Sequence, residues 1–315
     1  MNITLAQAAY YIVNANNVVI TGHVHPDGDC LGSMLAVYRL CQQRQIGALL
    51  LLDDDIPAAY RFLPDVDRIE KPQRTVQADL LIVVDASDAE RIGRVGECVK
   101  APVLNIDHHI SNTAFADYLF LDVAAAATGS IIYSLFCHLG IRPDKQTAIC
   151  LYTAIVTDCG FFRYANTSGE TLRHGAELLD CGVEPAAIAE ALETKPAGSV
   201  FCLIQVLETL EISADGKIAW VTVPPAVMEA AESTDEFINY PRSIAGVEVA
   251  IMFKAAEANL IRVSLRSRGV DVSAIALRFG GGGHQRAAGC SIAAPLADAK
   301  ARLLAAVAES LAGQA

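Results

Sequence analysis

None of the nine cysteines forms a Cys-x-x-Cys pair, and an odd, scattered set of thiols argues against both a disulfide framework and a structural zinc site. No run of about 18 uncharged apolar residues appears, the length that a membrane-crossing helix needs. The amino-terminal Met1-Asn2-Ile3-Thr4 lacks a basic region leading into an apolar core, so a cytoplasmic protein with no membrane partner is expected. Nucleotide-binding glycine motifs are missing too. No Gly-x-Gly-x-x-Gly follows the first strand-like run, and no Gly-Lys-Ser/Thr follows the glycine cluster near the carboxyl end, which removes the dinucleotide fingerprint and the P-loop. Positive charge is scarce, with 24 Lys+Arg against 36 Asp+Glu for a net −12, and this excludes a broad basic face for long duplexes.

The chain does have an apolar content of 53% with only 6% aromatic residues, which suits an α/β enzyme rich in small aliphatic side chains. At 315 residues it exceeds the usual size of one core and is expected to split in two. Strand-like runs at 17–21, 46–52, 80–85, 103–107 and 118–121 alternate with helical patterns at 31–43, 129–138 and 144–157. That alternation predicts a doubly wound, mostly parallel sheet over residues 1–185. Helical patterns at 169–180 and 185–192 lead to a connection at 186–199, with 194–198 the best linker. Beyond it, 200–315 is read as a smaller α/β domain whose mixed sheet is also smaller. There a helix at 199–210 and a strand at 217–223 precede strands 247–254 and 260–267, antiparallel across 255–259. Charge divides unevenly: 13 basic against 22 acidic residues up to 185, and 11 against 14 afterwards. In the second part Arg262, Arg266, Arg268, Arg278 and Arg286 fall in one stretch whose only acid is Asp271.

The most informative feature is Asp107-His108-His109, at the end of the apolar run Val103-Leu104-Asn105-Ile106. Two adjacent imidazoles and a carboxylate where a buried strand ends need partners or a metal. A chance His-His pair is the plain alternative. Against it, further acid and histidine groups stand at other element ends: His23-Val24-His25-Pro26-Asp27-Gly28-Asp29 after the first strand, Asp85 after 80–84, and Asp158 after Ala154-Ile155-Val156-Thr157. In an open α/β sheet the carboxyl ends of parallel strands converge on one crevice, so these four segments can share one rim. Asp122 and Asp144 are read as turn or cap residues. Cys30 and Cys159 are bystanders beside the proposed ligands, and His138 and His174 are structural.

Near the carboxyl end stands Gly280-Gly281-Gly282-Gly283-His284-Gln285-Arg286-Ala287-Ala288-Gly289. Four consecutive glycines carry a large entropy cost, so backbone is expected to approach a ligand there or to adopt positive φ. Were His284 to start a helix, the free amides would form an anion site with His284 and Arg286; a flexible loop is the plain alternative.

These residues resemble the motifs of the DHH phosphoesterases joined to a DHH-associated C-terminal domain. The motifs stand here as His23 to Ser33, Val84-Asp85-Ala86-Ser87-Asp88, Asp107-His108-His109, Thr157-Asp158-Cys159-Gly160-Phe161-Phe162-Arg163, and Gly280 to His284 with Ala287-Ala288-Gly289. The likeness spans nearly the whole chain, and is greatest to members that act on oligoribonucleotides and on 3′-phosphoadenosine 5′-phosphate. Cys30 and Cys159 occupy places where other members commonly carry Ala and Thr.

The resemblance implies two metal ions, one held by His23, Asp27 and Asp85 and the other by Asp29, Asp85, His108 and Asp158. An imidazole and carboxylate set without thiolate favours Mn²⁺, for which Mg²⁺ or Co²⁺ could substitute. His25 is expected at the surface or behind the ligands. Asp107 is expected to orient a neighbouring imidazole, His109 to contact the scissile phosphate or the leaving oxygen, and Arg163 to hold a nonbridging oxygen. Arg266, Arg268, His284 and the amides of Gly281, Gly282 and Gly283 are expected to bind the far phosphate or terminal nucleotide, across an interdomain cleft. The implied activity is trimming of short RNA oligonucleotides to mononucleotides, with removal of the 3′-phosphate of 3′-phosphoadenosine 5′-phosphate. Hydrolysis of cyclic-dinucleotide products such as pApA is the nearest alternative. A non-catalytic nucleotide sensor would be marked by a lost ligand, and none is lost. The apolar helix 129–138 suits either the core or a homodimer contact, and core is expected.

Overall fold

The computed structural model describes residues 1–231, 234–257 and 259–313. It consists of two units, Met1–Thr194 and Lys195–Ala315.

In the first unit the strands are β1 (Asn17–Thr21), β2 (Gly47–Leu51), β3 (Ile69–Glu70), β4 (Val76–Gln77), β5 (Leu80–Val84), β6 (Val99–Lys100), β7 (Val103–Asp107) and β8 (Tyr118–Leu121). Six of them form a parallel sheet in the order β3-β2-β1-β5-β7-β8, while β4 and β6 pair apart from it. Leu80 to Val84 reads Leu-Leu-Ile-Val-Val and is buried at every position, as a central parallel strand covered on both faces requires. The helices are α1 (Leu5–Val13), α2 (Gly28–Gln43), α3 (Val95–Cys98), α4 (Thr128–His138), α5 (Lys145–Asp158), α6 (Gly169–Asp180) and α7 (Pro185–Glu193).

Helices α2, α4 and α5 pack closely against one another. A Cβ at Gly32 would lie 2.4 Å from the Cys150 carbonyl, and one at Gly129 would lie 2.5 Å from the Ala154 Cβ. Only glycine lets the three helix backbones pack that tightly. Ile131, Ile132, Leu135 and Phe136 put α4 in the core.

The second unit contains α8 (Ala197–Leu207), β9 (Glu211–Ile212), β10 (Ile218–Val223), α9 (Pro225–Ala230), α10 (Asn239–Ser243), β11 (Val249–Glu257), β12 (Leu260–Ser267), α11 (Val272–Leu277), β13 (Gly282–His284), β14 (Ala287–Ile292) and α12 (Leu296–Ala312). Its strands form a mixed sheet in the order β13-β14-β12-β11-β10-β9, with β10 and β11 parallel and the other pairs antiparallel. Along β11, Val249, Ile251 and Phe253 face one apolar cluster, and Ala250 and Met252 face another, the alternation of a strand covered on both sides.

Several expectations are corrected. The second sheet is not the smaller one, since both have six strands. Helix α2 begins at Gly28 rather than 31, because the Asp27 carboxylate accepts from the amides of Asp29 and Cys30 and caps it. The expected connection at 186–199 is largely helical, lying within α7 and α8 except near 194–196. Strand β11 extends into the expected turn at 255–259, of which Ala258 lies outside the described residues, while β12 spans 260–267 as expected. His284 starts no helix. It ends β13, an edge strand folded back on β14, and a Cβ at Gly281 would lie 2.1 Å from the Gly289 carbonyl. Packing against a neighbouring strand, rather than an anion site at a helix amino terminus, thus explains Gly281. No helix among the described residues is long and apolar enough to cross a membrane.

Candidate metal centre

Five chain segments bring the candidate ligands together. His23 follows β1, Asp27 and Asp29 open α2, Asp85 follows β5, and His108 and His109 follow β7. Asp158 is the last residue of α5, so the fourth expected motif reaches the rim from a helix, as the helical pattern at 144–157 implied. Asp85 has φ +60°, a left-handed conformation that a non-glycine residue holds only where its surroundings over-determine it. Its amide donates to the Ile106 carbonyl at 3.0 Å, which pins that turn to the neighbouring strand.

The two oxygens of Asp85 face two imidazoles. The Nε2 of His23 lies 3.4 Å from Asp85 Oδ2 and 3.6 Å from Asp27 Oδ1. The Nε2 of His108 lies 3.6 Å from Asp85 Oδ1, 3.8 Å from Asp29 Oδ2 and 3.7 Å from Asp158 Oδ2. In each ring the other nitrogen is committed to backbone: His23 Nδ1 to the Val24 carbonyl at 2.8 Å and His108 Nδ1 to the Ala125 carbonyl at 3.2 Å. Those contacts place a proton on Nδ1 of each ring and turn Nε2 toward the carboxylates. His109 instead bonds Asp107 Oδ1 at 2.7 Å, and Asn112 Nδ2 donates to the other oxygen of Asp107 at 2.6 Å.

Without a cation this arrangement is electrostatically unfavourable. Burial and the charges of Asp85 and Asp158 push the Asp29 carboxyl well above the usual carboxylate range. Burial, with Asp85 adding to it against the opposing pull of His108, raises Asp158 to about 6. Burial also works against a charged His23, but Asp27 and Asp85 outweigh it and raise the ring to about 10. The buried Nε2 of His108 has no hydrogen-bond partner, an omission that a buried polar atom rarely shows. An orphaned nitrogen facing three carboxylates, with no thiolate in the set, fits divalent cations with nitrogen and oxygen ligands. Three groupings place their ligand atoms within 4.8 Å of one another: His23, Asp27 and Asp85; Asp29, His108 and Asp158; and Asp85, His108 and His109.

Sequence reasoning missed the residues that hold this set. The amides of Thr128 and Gly129 donate to the two oxygens of Asp29 at 2.6 and 2.8 Å, and Thr128 Oγ1 donates to Asp85 at 3.0 Å. The α4 amino terminus therefore serves Asp29 in place of a capping side chain. The only signal in the sequence is a helix start at Ala127-Thr128 with no side-chain cap at its first residue. Asn166 Nδ2 donates to the carbonyls of both Ala126 and Asp158, at 3.0 and 3.2 Å, and ties the segment before α4 to the end of α5. Arg163 is exposed, and its Nε donates to the Gly160 carbonyl at 2.8 Å rather than to a carboxylate of the cluster. His25 is exposed and bonds Asp54.

The second unit's candidates form a looser set. Arg266 lies on β12 opposite Ala250 and Ala287, and burial together with the like charge of Arg242 lowers its pKa. Arg268 Nη2 reaches the carbonyls of Arg242 and Ile244 at 3.5 and 3.4 Å. Arg242 is thus a further cation that sequence reasoning did not single out. His284, Gly282 and Gly283 are exposed, and the amide of Gly281 is spent on the Ala276 carbonyl.

Comparison with known proteins identifies the family. Residues 17–155 match the model of the DHH family N-terminal domain, and residues 225–313 match the DHHA1 domain. The bifunctional oligoribonuclease and PAP phosphatase NrnA of Thermus thermophilus is 35% identical over 297 residues, covering 93% of this chain and 90% of that protein. Its counterpart of the same name in Bacillus subtilis is 25% identical over 284 residues, 88% of this chain and 90% of that one. Among solved structures, an exopolyphosphatase-related protein from Bacteroides fragilis matches with a TM-score of 0.86 at 22% identity, over 98% of this chain and 95% of its own, a likeness of fold. With its histidines and aspartates gathered at the end of a parallel sheet and its glycine-rich edge strand behind them in the sequence, the chain belongs to the DHH family of phosphoesterases and carries a DHHA1 domain.

Proposed function

We propose that this protein hydrolyses short RNA oligonucleotides to mononucleotides and removes the 3′-phosphate of 3′-phosphoadenosine 5′-phosphate, using two Mn²⁺ ions in the cytoplasm. The observation that carries the proposal is Asp85, whose two oxygens face His23 on one side and His108 on the other, as a carboxylate shared by two cations would. His23 and Asp27 would hold one ion, and Asp29, His108 and Asp158 the other. Divalent ions bound there neutralise phosphoryl oxygens and lower the pKa of water.

The chain's own residues supply the rest. Asp107 fixes the His109 ring through Nδ1, which leaves Nε2 to carry a proton to the leaving oxygen. The amides of Thr128 and Gly129 hold Asp29 in place. In the second unit Arg266 and Arg268 bind a phosphate distant from the reacting one, with Arg242 and His284 adding charge, so short substrates are preferred.

A time course with a 5′-labelled RNA trimer, a 24-mer and 3′-phosphoadenosine 5′-phosphate, each with Mn²⁺ and with EDTA, tests this. Metal-dependent loss of the trimer well ahead of the 24-mer, together with release of phosphate from the nucleotide, is the expected result. No turnover of any of the three would overturn it.

A further inference from the structure

The segment after Asp158 contains three aromatic residues, Phe161, Phe162 and Tyr164. Phe161 and Phe162 pack against the core of the first unit, and Phe162 meets Tyr152 with ring centroids 6.3 Å apart. Tyr164 stays 56% exposed. Reaching that arrangement takes three successive residues at positive φ: Gly160 at 57°, Phe161 at 54° and Phe162 at 63°. Bulky residues in that region are strained, and such strain persists where function or packing over-determines it.

The turn folds the chain back on itself. A Cβ at Gly160 would lie 2.5 Å from Tyr164 Cζ, so the ring lies flush over Gly160, two residues from Asp158. Two residues of chain span at most about 7 Å, so the ring stands on the turn that directly follows a candidate metal ligand. The amide of Tyr164 is fixed by the Cys159 carbonyl at 3.1 Å. Arg163 Nε and Asn166 Nδ2 tie down the turn on either side of it. Ile110, next to His109, is 83% exposed and adds a second apolar side chain adjoining a cluster residue. An exposed aromatic ring on a tied-down turn next to a candidate metal ligand suits the flat face of a nucleobase, because stacking works with any base and needs no charge.

We infer that Tyr164 is the stacking platform for the nucleobase nearest the scissile phosphate. This makes it a determinant of specificity for nucleotides over other phosphoesters, and the inference rests on the function proposed above. The test compares wild type, Tyr164→Ala and Tyr164→Phe on pApA with Mn²⁺. Two further substrates are pApA analogues in which one or the other base is replaced by hydrogen.

Tyr164→Ala should raise KM for pApA on the order of 10-fold with kcat within about twofold, and Tyr164→Phe should match wild type. For one of the two abasic analogues, wild type and Tyr164→Ala should be indistinguishable. An unchanged KM for pApA in Tyr164→Ala, a loss carried by kcat instead, or an equal loss on both abasic analogues would overturn the inference while the proposed function stands. If wild type leaves pApA intact but still trims the RNA trimer, the same comparison is made on the trimer and its abasic analogues. A wild type inert on both overturns the proposed function and this inference with it.

Discussion

The two ends of this chain handle charge in opposite ways. In the first unit, four of the carboxylates crowd against imidazoles at the end of a parallel sheet, with Asp29 and Asp85 almost fully buried and held by hydrogen bonds from Thr128 and Gly129. In the second, Arg268 and His284 stand in solvent and Arg266 is half-buried beside Arg242. A buried cluster in which carboxylates outnumber imidazoles cannot rest on water and calls for added positive charge. Exposed cations are solvated until an anion arrives, so they can be held by few contacts. The first region thus suits a resident ion, and the second, under the function proposed above, a transient ligand.

That contrast is broken most severely at Asp85. Asp85→Asn keeps the shape and removes the charge shared by both ligand groups, so kcat/KM on the RNA trimer should fall by on the order of 10³-fold or more. A variant that keeps near-native turnover would show that the two groups do not act together.

Metal should also stabilise the two units unequally. At a free concentration about 100 times its Kd, a cation adds about 2.7 kcal/mol to whatever binds it when folded. The single tryptophan, Trp220, lies on β10 of the second unit. Denaturant titrations followed by circular dichroism should therefore shift on adding Mn²⁺ to EDTA-treated protein, while the Trp220 fluorescence midpoint should not. A matching shift of both would place the ion's effect outside the first unit alone.

Asp107→Asn tests whether the His109 ring needs its carboxylate. Residues that orient functional imidazoles typically contribute 10- to 100-fold, so kcat should drop within about that range while bound metal, measured by atomic absorption, is retained. Loss of metal instead would make Asp107 part of the ion site.

Raising the pH should tighten binding of the ion by apo-protein. His23, raised to about 10, must lose its proton to bind, and Asp158, at about 6, must be ionised. Each proton released makes the apparent affinity rise by up to about tenfold per pH unit while that group remains protonated. Calorimetry in buffers of different ionisation enthalpy should show net proton release at neutral pH; proton uptake would contradict the geometry. In the second unit the effect is smaller and of another kind. Arg266→Ala should raise KM for the trimer on the order of 10-fold and leave hydrolysis of a simple phosphodiester unchanged, whereas equal losses would remove Arg266 from substrate recognition.

Much of the fold is written locally. The run Leu80 to Val84 can hardly be other than a buried strand, and Asp144, which accepts from the Thr147 amide, marks its helix start by sequence alone. The glycine run was legible in part: Gly280 and Gly283 take the positive φ expected of glycine, but Gly281 is required by the Gly289 carbonyl across a strand pair, and no spacing rule reveals that partner. Arg163 falls within a motif yet turns back to Gly160, since the positive φ values from Gly160 to Phe162 reverse the chain.

Residue type and order alone determined that this is a two-part α/β protein with carboxylates and imidazoles at the ends of its elements, because hydrophobic period and hard-ligand chemistry are properties of short segments. Only the tertiary structure decided that Asp85 stands between His23 and His108, that the α4 amino terminus holds Asp29, and that Tyr164 lies over Gly160. Those relations join residues far apart in the chain, or set by a single turn, and they exist only once the helices have packed against one another and against the sheet.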